Sequence, residues 1–282
     1  MKIGIVGLGL IGGTYAKNLI QKYEIFGIDK DDKSLRYAEE NNFITKGYVN
    51  PSDILNQLDI VFICLYPTDI YKFIKENTNY FKPGAVITDA AGIKSKLVSE
   101  IEDVLPNNID FVFAHPIAGR EKIGVYHSNK DIFKNGNYVI TPTNRNKKDN
   151  IKLIENLAYE IGFKSVSFVT PEVHDKIIAY TSQLTHVIAL ALVNSDNFEL
   201  DIKKFIGDSY KDLTRIAKIN TNLWSELFLG NKENLVDKID SFILYMRKYK
   251  EYLENNDTEN LIDLMNDANV KRTLLDGDNN EY

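Results

Sequence analysis

The sequence predicts an α/β chain: a doubly wound, mostly parallel sheet over residues 1–168, followed by an all-α domain over 169–282. Three observations predict it. Through the first half, short apolar runs alternate with amphipathic stretches, the pattern of parallel strands joined by crossover helices. A glycine-rich turn separates the first run from the first stretch. After Thr170-Pro171, strand-like runs nearly vanish and helical spacing takes over.

The 282 residues suffice for two modest domains, with 44% hydrophobic and 26% charged residues as in ordinary soluble proteins. A net charge of -6 argues against nucleic acid or an anionic membrane as the main partner. The single cysteine, Cys64, excludes an intrachain disulfide and suits a reducing compartment. It lies in the apolar run 60–65 and reads as core filling. Lys2 and the apolar residues up to Ile11 look superficially like a signal peptide, but Gly4, Gly7 and Gly9 within that run and Gly12 and Gly13 just after it crowd the segment, and no cleavage site stands out. No later apolar segment reaches the roughly 18 residues of a spanning helix. A cytoplasmic protein is expected.

Strands are expected at 2–6, 24–28, 60–65, 85–88 and 110–114. Each is a continuous apolar run, as in strands covered on both faces. Helical segments lie between them at 15–22, 34–40 and 68–77. The turn Asn135-Gly136-Asn137 introduces a strand at 138–141, a helix follows at 151–161, and 165–168 closes the sheet. Thr170 and Pro171 form a cap and first turn. From there 173–193 reads as one long, buried, mostly apolar helix. Further helices are expected at 210–219, 223–229, 232–255 and 258–266, with a frayed polar tail over 276–282.

Gly7-Leu8-Gly9-Leu10-Ile11-Gly12 is G-x-G-x-x-G, placed between the first strand and the first helix. Its glycines permit a tight turn, close approach of a pyrophosphate and close helix–strand packing. The helix N-terminus, at Leu10 and Ile11, presents unpaired N–H groups to the phosphates. Twenty residues beyond Gly9, Asp29 ends the second strand, where its carboxylate accepts hydrogen bonds from an adenosine ribose and repels a 2′-phosphate. This is a Rossmann-type dinucleotide site with NAD favoured over NADP, although Lys30 and Lys33 soften the repulsion.

His115 follows the strand at 110–114, at the carboxyl end where open parallel sheets bind ligands. Its imidazole titrates near neutrality and can accept a proton from a substrate hydroxyl as hydride leaves. The bland alternative is a strand-capping histidine. Taken alone, Arg215 reads as a surface arginine and Trp224 as core.

His115-Pro116-Ile117-Ala118-Gly119-Arg120-Glu121 resembles a motif of the prephenate and arogenate dehydrogenases. Further matches follow in family order: Thr88 to Lys94, Asp131 to Pro142, His174-Asp175 with Ser182-Gln183-Leu184-Thr185-His186, and Leu213-Thr214-Arg215-Ile216-Ala217 with Leu223-Trp224. The resemblance covers nearly the whole chain. It implies oxidative decarboxylation of prephenate to 4-hydroxyphenylpyruvate in tyrosine biosynthesis, with NAD as hydride acceptor, no metal, and a homodimer formed through the helical domain. By motif match His115 is the base, Arg215 binds a substrate carboxylate and His186 holds the pyruvyl side chain. Glu121 lies near the site entrance, and Gln183 and His174 contact substrate. Lys94 contacts cofactor or substrate, or neither. The chain departs from the family at Gly92, where serine is frequent, at Gln183, where histidine is common, and at Thr185, where proline is. Alternative readings are an arogenate dehydrogenase, a β-hydroxyacid dehydrogenase and a non-catalytic NAD sensor.

Overall fold

The computed structural model describes residues 1–119 and 122–276. All but the first residue of the expected frayed tail lies outside that span. Two compact units are present, Met1–Lys232 and a second beginning at Glu233.

The first unit is built on eight strands: β1 Lys2–Val6, β2 Glu24–Ile28, β3 Lys46–Tyr48, β4 Ile60–Ile63, β5 Val86–Asp89, β6 Asp110–Ile117, β7 Asn137–Thr141 and β8 Ser165–Phe168. They form one sheet in the order β3-β2-β1-β4-β5-β6-β7-β8. Pairing is parallel from β3 through β6, antiparallel between β6 and β7, and parallel again between β7 and β8. The strand order reverses between β1 and β4, which places the ligand crevice of a doubly wound sheet beyond their carboxyl ends.

The continuous apolar runs are two-sided because successive side chains feed opposite cores. Ile3, Ile5 and Phe62 join the core under α1 (Leu10–Leu19), α2 (Asp32–Glu40) and, further along the chain, the helix at Lys148–Ile161. Val6, Val61 and Ile63 join the core under α3 (Pro67–Asn77) and α4 (Ser95–Glu102). Strand β3 and helix α4 are absent from the sequence reading. The strand is three residues long without an apolar run, and the helix has no side-chain cap of its own. Helix Lys148–Ile161 is α5.

Past β8 the unit is helical. Thr170 caps α6 (Pro171–Ile178), its hydroxyl accepting the Val173 N–H at 3.3 Å. A five-residue π turn, Ala179–Gln183, leads into α7 (Leu184–Asn194). The single long helix expected at 173–193 therefore carries a register shift. It is also not buried all round: Val173, Ile177 and Tyr180 are exposed. Pro171–Asn194 is long and apolar enough by composition to cross a membrane, with a mean hydropathy of 1.4, which corrects the expectation that no such segment exists. It nonetheless turns buried polar residues, His174, Asp175 and Gln183, into the unit. Then come α8 (Asp208–Thr214), which ends in a 3-10 turn at Arg215–Ala217, and α9 (Thr221–Gly230), capped by Asn220.

The second unit contains α10 (Lys232–Glu254) from its second residue onward, and α11 (Thr258–Asp276). Asn256 takes a left-handed conformation between them (φ 53°), and the Asp257 carboxylate accepts the Asn260 N–H at 3.1 Å.

Candidate functional site

The turn after β1 is shaped for a phosphate. Gly7 has φ +87°, and a Cβ there would lie 2.7 Å from the Cys64 carbonyl oxygen. A Cβ on Gly12 would meet the Gly7 carbonyl oxygen at 2.0 Å, so glycine is what lets α1 start against the turn. A Cβ on Gly9, by contrast, would meet nothing within 4 Å. That open space lies at the N-terminus of α1, which no side chain caps and which begins with Leu10 and Ile11. Asp29 binds back onto the motif: its Oδ2 accepts the Leu8 N–H at 2.6 Å and its Oδ1 accepts the Asp31 N–H at 2.8 Å. A carboxylate held there, with lone pairs to spare, fits the hydroxyls of a ribose.

Strand β6 carries His115 past the last β5 pairing, at Val112, and β7 holds it there, with His115 opposite Val139. His115 is therefore inside a strand rather than beyond its end. It still projects past the carboxyl edge of the parallel sheet, because β6 outruns β5. Its Nδ1 lies 2.9 Å from His174 Nε2, and His174 Nδ1 lies 2.8 Å from Asp175 Oδ1. Asp175 in turn accepts the Lys94 and Ser95 N–H groups, each at 2.8 Å. These are the first amides of α4, so α6 supplies the cap that α4 lacks. Among the described residues no hydrogen bond is made at His115 Nε2. A Cβ on Gly92 would stand 3.6 Å from that nitrogen.

Burial sets the protonation of this cluster. It holds His115 well below the ordinary imidazole value, reinforced by the charges of His174 and Lys94. Burial also lowers His174, against the pull of Asp175. For Asp175 burial acts upward, but hydrogen bonds from His174 and Ser95 prevail and keep its carboxyl below the usual range. Lys94 is fully buried; its Nζ donates to Asp89 Oδ2 at 2.6 Å and to the Ala91 carbonyl at 2.8 Å. Those contacts hold its ammonium inside the protein. Burial lowers its pKa despite the Asp89 charge.

Helix α9 covers this end of the sheet. Leu227 would touch a Cβ on Gly92 at 3.3 Å, and Trp224 lies against His186 with ring centroids 3.7 Å apart. His186 is half-buried on α7, against which the turn carrying exposed Arg215 packs. Gln183 is buried: its amide donates to the Leu227 carbonyl at 2.9 Å, and its oxygen accepts from Asn231 Nδ2 at 2.9 Å. His174 is likewise buried with both ring nitrogens engaged. Gln183 and His174, expected to contact substrate, thus have these partners inside the protein. Glu121 lies outside the described residues. Sequence reasoning passed over Asp89, Asp175, Asn231 and Leu227. The adjacency His174-Asp175 was the available signal for one of them, but neighbours i and i+1 on a helix do not face each other, so their pairing is invisible without the fold.

Two family models cover most of the chain: prephenate dehydrogenase, nucleotide-binding domain, over residues 13–167, and prephenate dehydrogenase, dimerization domain, over 170–267. Among curated proteins, the chain is 29% identical over 265 residues to a prephenate dehydrogenase of Bacillus subtilis, covering 91% of this chain and 71% of that one. It is 26% identical to a cyclohexadienyl dehydrogenase of Zymomonas mobilis, covering 98% and 96%. Among solved structures, it is similar to a prephenate dehydrogenase from A. aeolicus in complex with hydroxyphenyl propionate and NAD+, with a TM-score of 0.90, 30% identity and 98% of both chains covered. A nucleotide-shaped turn, a histidine at the sheet edge and a helical cover agree with these matches over nearly the whole length, and the chain belongs to the prephenate dehydrogenase family of oxidoreductases.

Proposed function

We propose that the protein oxidatively decarboxylates prephenate to 4-hydroxyphenylpyruvate in tyrosine biosynthesis, with NAD as hydride acceptor. The observation that carries this reading is the state of His115: Nδ1 is engaged by His174, while Nε2 stands beside Gly92 without a hydrogen bond among the described residues. A neutral imidazole presented this way suits proton abstraction.

His115 Nε2 accepts the proton of the ring hydroxyl as hydride leaves the same carbon. NAD, when bound, supplies the hydride acceptor. The forming carbonyl draws electrons, the ring carboxylate departs as carbon dioxide, and aromatisation drives the step. Asp29 holds the adenosine ribose, and the uncapped N-terminus of α1 faces the pyrophosphate. Arg215 binds a substrate carboxylate, a task suited to its planar fork. His186, its ring braced by Trp224, holds the keto acid side chain. A histidine at that end suits the keto acid of prephenate better than the ammonium of arogenate. The same reading includes a homodimer formed through the helical region, where exposed Leu244, Tyr245, Met246 and Leu253 on α10 need a partner surface.

The test is turnover of prephenate and of arogenate with NAD and NADP, followed by absorbance of the reduced nicotinamide. The reading expects the highest kcat/KM for prephenate with NAD. Equal or better efficiency on arogenate would assign the arogenate activity instead.

A further inference from the structure

We infer that His174 and Asp175 are positioning residues for His115, fixing its ring in the Nδ1–H tautomer so that the proton acceptor is Nε2. This rests on the proton-accepting role proposed above and adds the device that selects the accepting nitrogen.

The argument starts at the fixed end. Asp175 receives the backbone N–H groups of Lys94 and Ser95 on its two oxygens, at 2.8 Å each. Backbone amides only donate, so this carboxylate must be an acceptor, and the N-terminus of α4 favours its charge. His174 Nδ1, 2.8 Å from Asp175 Oδ1, must then carry the ring's hydrogen. A neutral imidazole has one N–H, which leaves His174 Nε2 as an acceptor. His115 Nδ1, 2.9 Å from it, must therefore donate, and His115 Nε2 is left bare. Each step follows from the one before.

The surroundings block alternatives. The charge of Lys94 acts on both rings, but its ammonium is committed to Asp89 and the Ala91 carbonyl and donates to neither. Asp89 is occupied by Lys94 and by the amides of Ala91 and Ala114. Gly92 offers no side-chain hydroxyl to orient Nε2 from the open side. The orientation of His115 is therefore governed from behind, by α6. When Nε2 takes up the substrate proton, the resulting imidazolium keeps its Nδ1–H on His174, one ring away from the Asp175 carboxylate.

The experiment is nitrogen-15 NMR of the imidazoles in the full-length protein at about pH 7.5, above the ordinary imidazole pKa, together with steady-state kinetics. Only four histidines need assignment. The wild type should show His115 protonated at Nδ1 and bare at Nε2. In Asp175→Leu no acceptor holds the hydrogen on His174 Nδ1, so the wire loses its direction and His115 should show a mixture of tautomers. The kcat should then fall, with KM for both substrates nearly unchanged. His174→Phe removes the wire while sparing the contact of Asp175 with α4. It serves if Asp175→Leu does not fold, and should likewise give His115 a mixture of tautomers and a reduced kcat. A purely structural pair would lower Tm without moving the tautomer or splitting kcat from KM. His115 remaining Nδ1–H in both variants, or wild-type kcat in the folded variants, would overturn the inference. If the tautomer shifts as expected but the wild type does not oxidise prephenate, the substrate assignment fails and the wire stands.

Discussion

Lys94 and Asp89 form a fully buried ion pair, with Nζ 2.6 Å from Oδ2 and neither side chain exposed. The carboxylate also accepts the amides of Ala91 and Ala114, at 2.9 and 3.0 Å, tying the end of β5 to β6 just ahead of His115. Removing one partner leaves the other charge uncompensated, which typically costs about 3–5 kcal/mol. Lys94→Met should therefore unfold at a markedly lower denaturant concentration than the wild type. A midpoint within error of the wild type would show that the pair is not the structural clamp described here.

Gly92 is the family departure nearest the chemistry. A Cβ there would approach Leu227 Cδ2 at 3.3 Å and His115 Nε2 at 3.6 Å. Serine needs a shift of a few tenths of an ångström, whereas valine would push Leu227 and His115 apart at an overpacking cost of about 1–3 kcal/mol. Gly92→Ser should fold and turn over. Gly92→Val should lose kcat, and thermal melts with kinetics on both variants check the pair.

The acidity of the cluster makes a signed prediction. A base works when unprotonated, and burial, His174 and Lys94 hold His115 below the ordinary imidazole value. The acid limb of kcat/KM should thus lie below about pH 6.5, the ordinary imidazole pKa. Since His174 titrates alongside, the limb belongs to the pair. Stability follows the same sign: rings buried neutral lose stability as pH falls from their unfolded value through their lowered folded ones. An acid limb centred above the ordinary value would contradict this environment.

The parallel sheet was legible because strands covered on both faces write continuous apolar runs, and β1, β2 and β8 have the expected bounds. The nucleotide turn was legible because its glycines and Asp29 belong to one local unit. Two elements were not. Three-residue β3 leaves no periodic trace, and α4 takes its cap from Asp175, 80 residues away from Ser95. The long β6 is only partly legible: its apolar run ends at Ala114, but the strand continues antiparallel to β7 through Ile117. Within the site, Gln183 and His174 entered through the family resemblance, and their partners in the fold, Asn231, Leu227 and His115, were hidden because they come from distant segments.

Asp29 gives a prediction on cofactor choice. Hydrogen bonds to a charged group are worth about 1.5–3 kcal/mol, so Asp29→Ala should raise KM for NAD by about one to two orders of magnitude. Its preference over NADP should shrink in parallel. The same variant loses the bond from the Leu8 amide, so fluorescence titration of NADH binding should accompany the kinetics. A wild type that uses NADP as readily as NAD would contradict the ribose assignment.

The central claim is that His115 takes the substrate proton while Arg215 holds a carboxylate present before and during the reaction. Arg215→Gln should raise KM strongly, since it removes largely uniform binding, with some loss of kcat from misplacement. The most direct measurement is kcat of His115→Asn in a folded variant that still binds NAD. The account predicts a fall of about 10²- to 10⁴-fold with little change in KM. A near-normal kcat would contradict it and make His115 a strand residue without a part in the chemistry.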